Sequence, residues 1–135
     1  MKRLIYLTLL LTALVGCKHK YTYIEISKEY GSVRELEKNT IKAKTDSIAY
    51  LEAYRSFCIS LSSESEVRKS SSDYSHILGF KLMDSKGKAV VMPMSFESKQ
   101  KQQKALESLI FNLFKPDDIA KTKLENFKRT ELLID

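Results

Sequence analysis

Glycine and proline are scarce, with four and two in 135 residues. That scarcity excludes collagen-like and Gly/Pro-rich disordered chains. Tryptophan is absent, and there are only two cysteines and two histidines. Two cysteines, Cys17 and Cys58, give neither a zinc-ribbon spacing nor a disulfide framework. Beyond residue 16 the glycines Gly31, Gly79 and Gly87 stand singly, which excludes a phosphate loop and a dinucleotide fingerprint. What remains is 43% hydrophobic and 30% charged, a length and balance suited to one ordinary globular domain.

The longest apolar run is at the amino terminus. Lys2 and Arg3 are followed by Leu4 to Val15, broken only by Tyr6, Thr8 and Thr12, and then by Gly16 and Cys17. The run suits the core of a secretory signal peptide and falls short of the roughly 20 residues that span a bilayer. A buried amino-terminal helix is the alternative, and it does not account for the abrupt switch to Lys18-His19-Lys20.

Leu14-Val15-Gly16-Cys17 resembles the lipobox of bacterial lipoproteins, and all four positions agree. The resemblance covers the first 17 residues and implies cleavage before Cys17, with residues 1–16 removed. It also implies lipidation of the Cys17 thiol and frequent acylation of the new amine. A thiol is the best nucleophile for thioether formation, and several acyl chains exceed the two-signal threshold for stable anchoring. The expected organisation is a signal peptide over 1–16, a lipid anchor and short tether over 17–20, and one domain over 21–135.

Losing Lys2 and Arg3 lowers the formal charge from +6 by two, to +4. So mild an excess favours anionic surfaces such as lipid headgroups and lacks the concentrated basic footprint of a nucleic-acid binder. Lys18 is not an acidic inner-membrane retention signal, and Lys18-His19-Lys20 is the opposite of an acidic surface-export signal. The resemblance therefore implies an outer-membrane anchor with the domain facing the periplasm. There Cys58 is a lone thiol that cannot form an internal bridge, and it reads as a small buried apolar residue on a helix.

Along the mature chain, Tyr21 to Ile26 is β-branched and aromatic and predicts a strand. Ser32-Val33-Arg34-Glu35 fits a capping box and predicts a short helix to about Lys42. Thr45-Asp46 opens a helix whose stripe is Ile48, Leu51, Tyr54, Cys58 and Leu61. The serine-rich stretch 62–75 reads as a solvated loop. Ile77 to Met83 and Ala89 to Met92, joined by Asp84-Ser85-Lys86-Gly87-Lys88, predict a hairpin ended by Pro93. Ser95 or Ser98 caps a helix to about Phe114 bearing Leu106, Leu109, Ile110, Leu113 and Phe114. This stripe is expected to pack on the hairpin, so that Leu109→Asp costs several kcal/mol; a helix lying in the membrane surface is the alternative. Pro116, Asp117 and Asp118 open a last helix carrying Ile119, Leu124 and Phe127. The expected fold class is α+β: one domain with a small antiparallel sheet and several helices packed against it.

Candidates for chemistry are few. His19 and His76 lie far apart and have no Cys or Glu at ligand spacing, so no metal site is expected. A copper site at the mature amino terminus through His19 would be abolished by acylation of the amine. Ser75-His76 lacks both a nucleophile elbow and a carboxylate that would orient the base. Asp117-Asp118 is explained by first-turn capping. Tyr21, Tyr23, Tyr30, Tyr50, Tyr54 and Tyr74 read as core and rim residues rather than a stacking platform for sugars or bases. The sequence thus points to no catalytic residue and no cofactor. It points to a lipid-anchored, non-catalytic domain that binds an envelope protein or the cell-wall polymer and no nucleic acid. An immunity-type lipoprotein that blocks an exported toxin enzyme is the second reading, and a small envelope hydrolase the third.

Overall fold

A computed structural model describes residues 18–71, 76–91 and 96–134. The expected signal peptide 1–16, the lipidation site Cys17, and Tyr74, Ser75, Met92, Pro93 and Ser95 lie outside the described residues. The order of elements is β1 His19–Glu29, β2 Ser32–Ala43, α1 Asp46–Ser70, β3 His76–Asp84, α2 Phe96–Phe114 and α3 Asp118–Ile134. The strands form one antiparallel sheet in the order β2-β1-β3. The expected α+β class, with helices on a small antiparallel sheet in one domain, is the observed one.

The short helix expected over 32–42 is instead β2, and the reason is the turn before it. Tyr30 and Gly31 both have positive φ, 51° and 80°, and Glu29 pairs with Ser32. Two positive-φ residues between paired strands make the tight turn whose twist matches a hairpin, and glycine supplies the second position without strain. Once β1 exists, this turn returns the chain beside it, and pairing along the whole strand outweighs a local capping motif. In β1, Tyr21, Tyr23, Glu25 and Ser27 point into the body while the residues between them are half-buried on the other face.

α1 covers the inward face. Thr45 caps it, its hydroxyl accepting from the Ile48 N–H at 3.2 Å. Ala49, Tyr50, Ala53, Tyr54, Phe57, Cys58 and Leu61 are buried, whereas Ile48, expected in the stripe, is exposed. The helix does not stop at Leu61; it runs to Ser70 through most of the stretch expected to be a loop. Ser62 and Ser65 are buried, and the Ser62 hydroxyl donates to the Cys58 carbonyl at 2.9 Å. A hydroxyl satisfied one turn back removes serine's usual objection to a helix interior.

β3 pairs with β1, and the turn after it forms as expected. Gly87 takes φ 78°, and the Asp84 carboxylate accepts from the Lys86 and Lys88 N–H groups at 2.9 Å each. The described part of the return segment, to Val91, is held by one bridge, Met83 to Ala89, with the Val90 N–H donating to the Leu82 carbonyl at 2.8 Å and the Asp84 N–H to the Lys88 carbonyl at 2.9 Å. Gly79 in β3 lies under the Phe127 ring of α3. A Cβ there would come within 2.8 Å of the ring, so the close approach requires glycine. Phe80 is the centre of the core, with ring centroids 4.9 Å from Phe127, 5.4 Å from Phe57 and 5.6 Å from both Tyr23 and Tyr50.

α2 packs chiefly along α1 and not on β3 of the expected 78–92 hairpin. Its inward residues are Gln103 and Ile110, with Leu106 and Phe111 packed partly against the core. Leu109, Leu113 and Phe114 face outward, with Leu109 59% exposed, so the expected five-residue core stripe is corrected. A helix packed mainly on one neighbour buries only a narrow strip. Leu109→Asp is therefore expected to change stability by less than about 0.5 kcal/mol, as for an ordinary surface site; a fall in Tm of more than a few degrees would contradict this. Lys115 ends α2 in the left-handed region at φ 47°, its N–H donating to the Phe111 carbonyl at 2.9 Å. In α3, Leu124 is buried and Phe127 half-buried, while Ile119 is 52% exposed and does not belong to the apolar side.

Candidate functional site

The two histidines fall at opposite ends of the sheet. His19 begins β1 opposite Ala43, and His76 begins β3 opposite Lys28. Nine residue steps along β1 separate His19 from Lys28, about 30 Å at the usual rise, so the two imidazoles cannot share a ligand. Among the described residues no group of three or more His, Cys, Asp or Glu is placed to hold a metal ion. Cys58 is fully buried, and burial pushes its thiol up to about 12, so at neutral pH it is a protonated core residue. Of the tyrosines, Tyr21, Tyr23, Tyr50 and Tyr54 are core residues, and Tyr30 stands out on the hairpin turn. Burial raises the Tyr54 phenol above its ordinary range, aided by the Glu107 carboxylate to which it donates.

Two constellations were not legible in the sequence. The first is an ionic network between α1 and the start of α3. Glu64, 5% exposed, accepts from Arg68 Nη1 at 2.6 Å, from Lys123 Nζ, and from the Ile77 N–H at 2.7 Å. Arg68 also grips Asp117 with two bonds, Nε at 2.9 Å and Nη2 at 2.6 Å. Asp117 caps α3 by accepting the Ala120 N–H at 2.9 Å, and its own N–H donates to the Ser65 hydroxyl at 2.9 Å. The capping expected of Asp117 is thus present, with a guanidinium partner added. Arg68 holds the Asp117 carboxyl down at about 2, against the opposing effect of burial. Every carboxylate oxygen in this cluster has a partner within the fold.

The second is an apolar pocket of about 190 Å³ walled by Tyr50, Phe80, Leu82, Val90 and Phe127, with Lys99 and Thr130 at its edge. The Lys99 ammonium lies 5.2 Å from the centre of the Tyr50 ring. The Tyr50 hydroxyl is buried and, among the described residues, has no hydrogen-bond partner. Compared with protein-family models, curated proteins and solved structures, the chain matches none of them. The reading of the pocket therefore stands on its geometry. It has the shape and lining to hold a small apolar group, with one hydroxyl donor and one ammonium beside it. A buried hydroxyl without a partner costs about 1–3 kcal/mol in desolvation. Tyr50→Phe is accordingly expected to raise stability by about 1 kcal/mol in urea unfolding, and a loss of 1 kcal/mol or more would show that the hydroxyl is bonded in solution.

Proposed function

We propose that this chain is a bacterial lipoprotein, held by acylated Cys17 in the cell envelope, whose α+β domain acts by binding a neighbouring envelope protein or the cell-wall polymer rather than by catalysis. The observation that carries the proposal is the Leu14-Val15-Gly16-Cys17 pattern behind a charged and then apolar leader. The distance from Cys17 to β1 supports it, since the first strand begins at His19. A tether this short confines the domain to a thin layer at the bilayer and raises its effective concentration for any partner in that layer. An outer-membrane anchor with the domain in the periplasm is the placement that Lys18-His19-Lys20 favours.

Cys17→Ser tests the anchor. Wild type is expected to partition into the detergent phase and to incorporate labelled palmitate; the variant is expected to be uncleaved or soluble and unlabelled. Equal partitioning and labelling of the two would overturn the proposal. Cross-linking in native cells followed by capture of the anchored chain tests the binding role, with a stoichiometric envelope partner as the expected result. Turnover of a cell-wall or ester substrate, lost on His76→Ala, would replace binding with catalysis.

A further inference from the structure

The sheet register gathers lysines from distant parts of the sequence at one end of the molecule. Lys20 at the start of β1 pairs with Lys42 near the end of β2, and Tyr21 pairs with Asp84 at the end of β3. Lys18 precedes β1, Lys44 lies between β2 and α1, and Lys86 and Lys88 lie in the turn after β3. All six lysines are exposed, and among the described residues none pairs with a carboxylate. Among the described residues, Asp46 and Asp84 also lie at this end, and each is engaged within the fold. Asp46 accepts the Tyr21 hydroxyl at 2.6 Å, and Asp84 accepts backbone N–H groups of its own turn. At the far end several cations are paired instead: Arg34 lies 3.4 Å from Glu29, Lys69 lies 2.9 Å from Glu66, and Arg68 is held by Glu64 and Asp117, while Lys28, Lys115 and Lys121 stand exposed and more scattered.

We infer that this lysine-ringed end rests on anionic lipid headgroups surrounding the Cys17 anchor. The inference builds on the anchor proposed above and names the surface that the domain meets. Cys17 directly precedes Lys18 in the chain, so an acyl anchor there enters the bilayer beside these six ammonium groups. Juxtamembrane basic clusters are drawn to anionic leaflets, and the attraction decays within a Debye length, about 8 Å at physiological salt. The lysines are close enough to feel it. The far end of α1, some 37 Å away along a 25-residue helix, is not.

The test uses the full-length chain purified from cells that process it and inserted into preformed vesicles, either phosphatidylcholine alone or phosphatidylcholine with phosphatidylglycerol. A singly charged anionic amine-acylating reagent is applied briefly, and each lysine is followed by mass spectrometry. A surface potential of about −30 mV depletes such a reagent about threefold at the surface. Lys42, Lys44, Lys86 and Lys88 are expected to react about threefold more slowly in the anionic vesicles, with Lys69 and Lys115 unchanged. In about 1 M salt, where the Debye length is about 3 Å, the difference is expected to vanish. Equal reactivity in the two vesicles would overturn the inference. So would slowing confined to Lys115, which would place the exposed Leu113, Phe114 and Ile119 against the bilayer instead. A chain that floats through Cys17 yet shows no slowing leaves the anchor standing and removes the lysine contact. A chain found without acyl groups that still floats with anionic vesicles and shows the slowing keeps the contact and removes the anchor.

Discussion

Phe57→Ala is expected to cost the domain about 4 kcal/mol, enough to lower the Tm by about 15 °C for a domain of this size. Phe57 is fully buried on α1. Its ring centroid lies 5.4 Å from that of Phe80 in β3 and 4.8 Å from that of Phe127 in α3. The side chain thus joins a helix, the sheet and a second helix at one point. Removing it forfeits the transfer energy of the ring and leaves a cavity that the surrounding rings cannot close, because each is itself fixed by another contact. Phe80 touches Tyr23 and Tyr50 as well, and Phe127 is pressed against Gly79. Set against the 5–15 kcal/mol typical of a whole domain, this one truncation should leave the protein marginal. Urea unfolding followed by circular dichroism checks it. A loss below about 1.5 kcal/mol would mean that Phe127 swings into the space, and that the ring cluster is looser than its centroid distances indicate.

The aromatic core was partly legible, with the tyrosines read as core and rim residues but Phe57 absent from the expected α1 stripe, and the sheet was partly legible as well. Tyr21 to Ile26 announced β1 because β-branched and aromatic residues are concentrated there, within the His19–Glu29 strand. Thr45 announced the start of α1 because a cap acts locally. β2 was hidden for a physical reason: its residues are nearly all exposed and charged, so no apolar period marks it, and the deciding signal is the Tyr30-Gly31 dipeptide. Tyr30 is an unusual occupant of a positive-φ position, and so the turn did not stand out beside the more familiar capping box. The second half of α1 was hidden because serine composition suggests solvent, whereas Ser62 and Ser65 are small buried residues on a helix that meets α3. The outward tilt of Leu109 and Leu113 could not be read from spacing alone. Helical periodicity says which residues share a face, not how much of that face a neighbour covers. The Glu64–Arg68–Asp117 cluster joins residues 49 apart in sequence, and no local pattern marks such a pairing.

Arg68→Met is expected to cost about 3–5 kcal/mol, and part of that cost should be recoverable by a second change. The substitution keeps most of the aliphatic stem and removes the guanidinium from a site where the Arg68 and Glu64 side chains are only 7% and 3% exposed. Two carboxylates and two cations, Glu64, Asp117, Arg68 and Lys123, balance in the native cluster. Without Arg68 the balance fails by one negative charge, and the remaining lysine faces Glu64. Asp117→Asn in the Arg68→Met background restores neutrality while leaving an oxygen to cap α3, since asparagine caps a helix as well as aspartate does. The double variant is therefore expected to be more stable than the sum of the single losses by about 1–2 kcal/mol. Acid gives an independent reading of the same contact. The Asp117 carboxyl is held at about 2 against an ordinary 3.8, first by its bonds from Arg68. A depressed folded-state value contributes stability that is complete above about pH 4 and is lost as pH falls through about 2. The contribution amounts to about 2 kcal/mol at most, since the side chain is 30% exposed. Urea unfolding of wild type at pH 6, 4 and 2.5 should show that decline, and the Arg68→Met variant should show a shallower one. If the variant loses less than 1 kcal/mol at pH 6, or falls with acid as steeply as wild type, Arg68 does not hold Asp117 in solution.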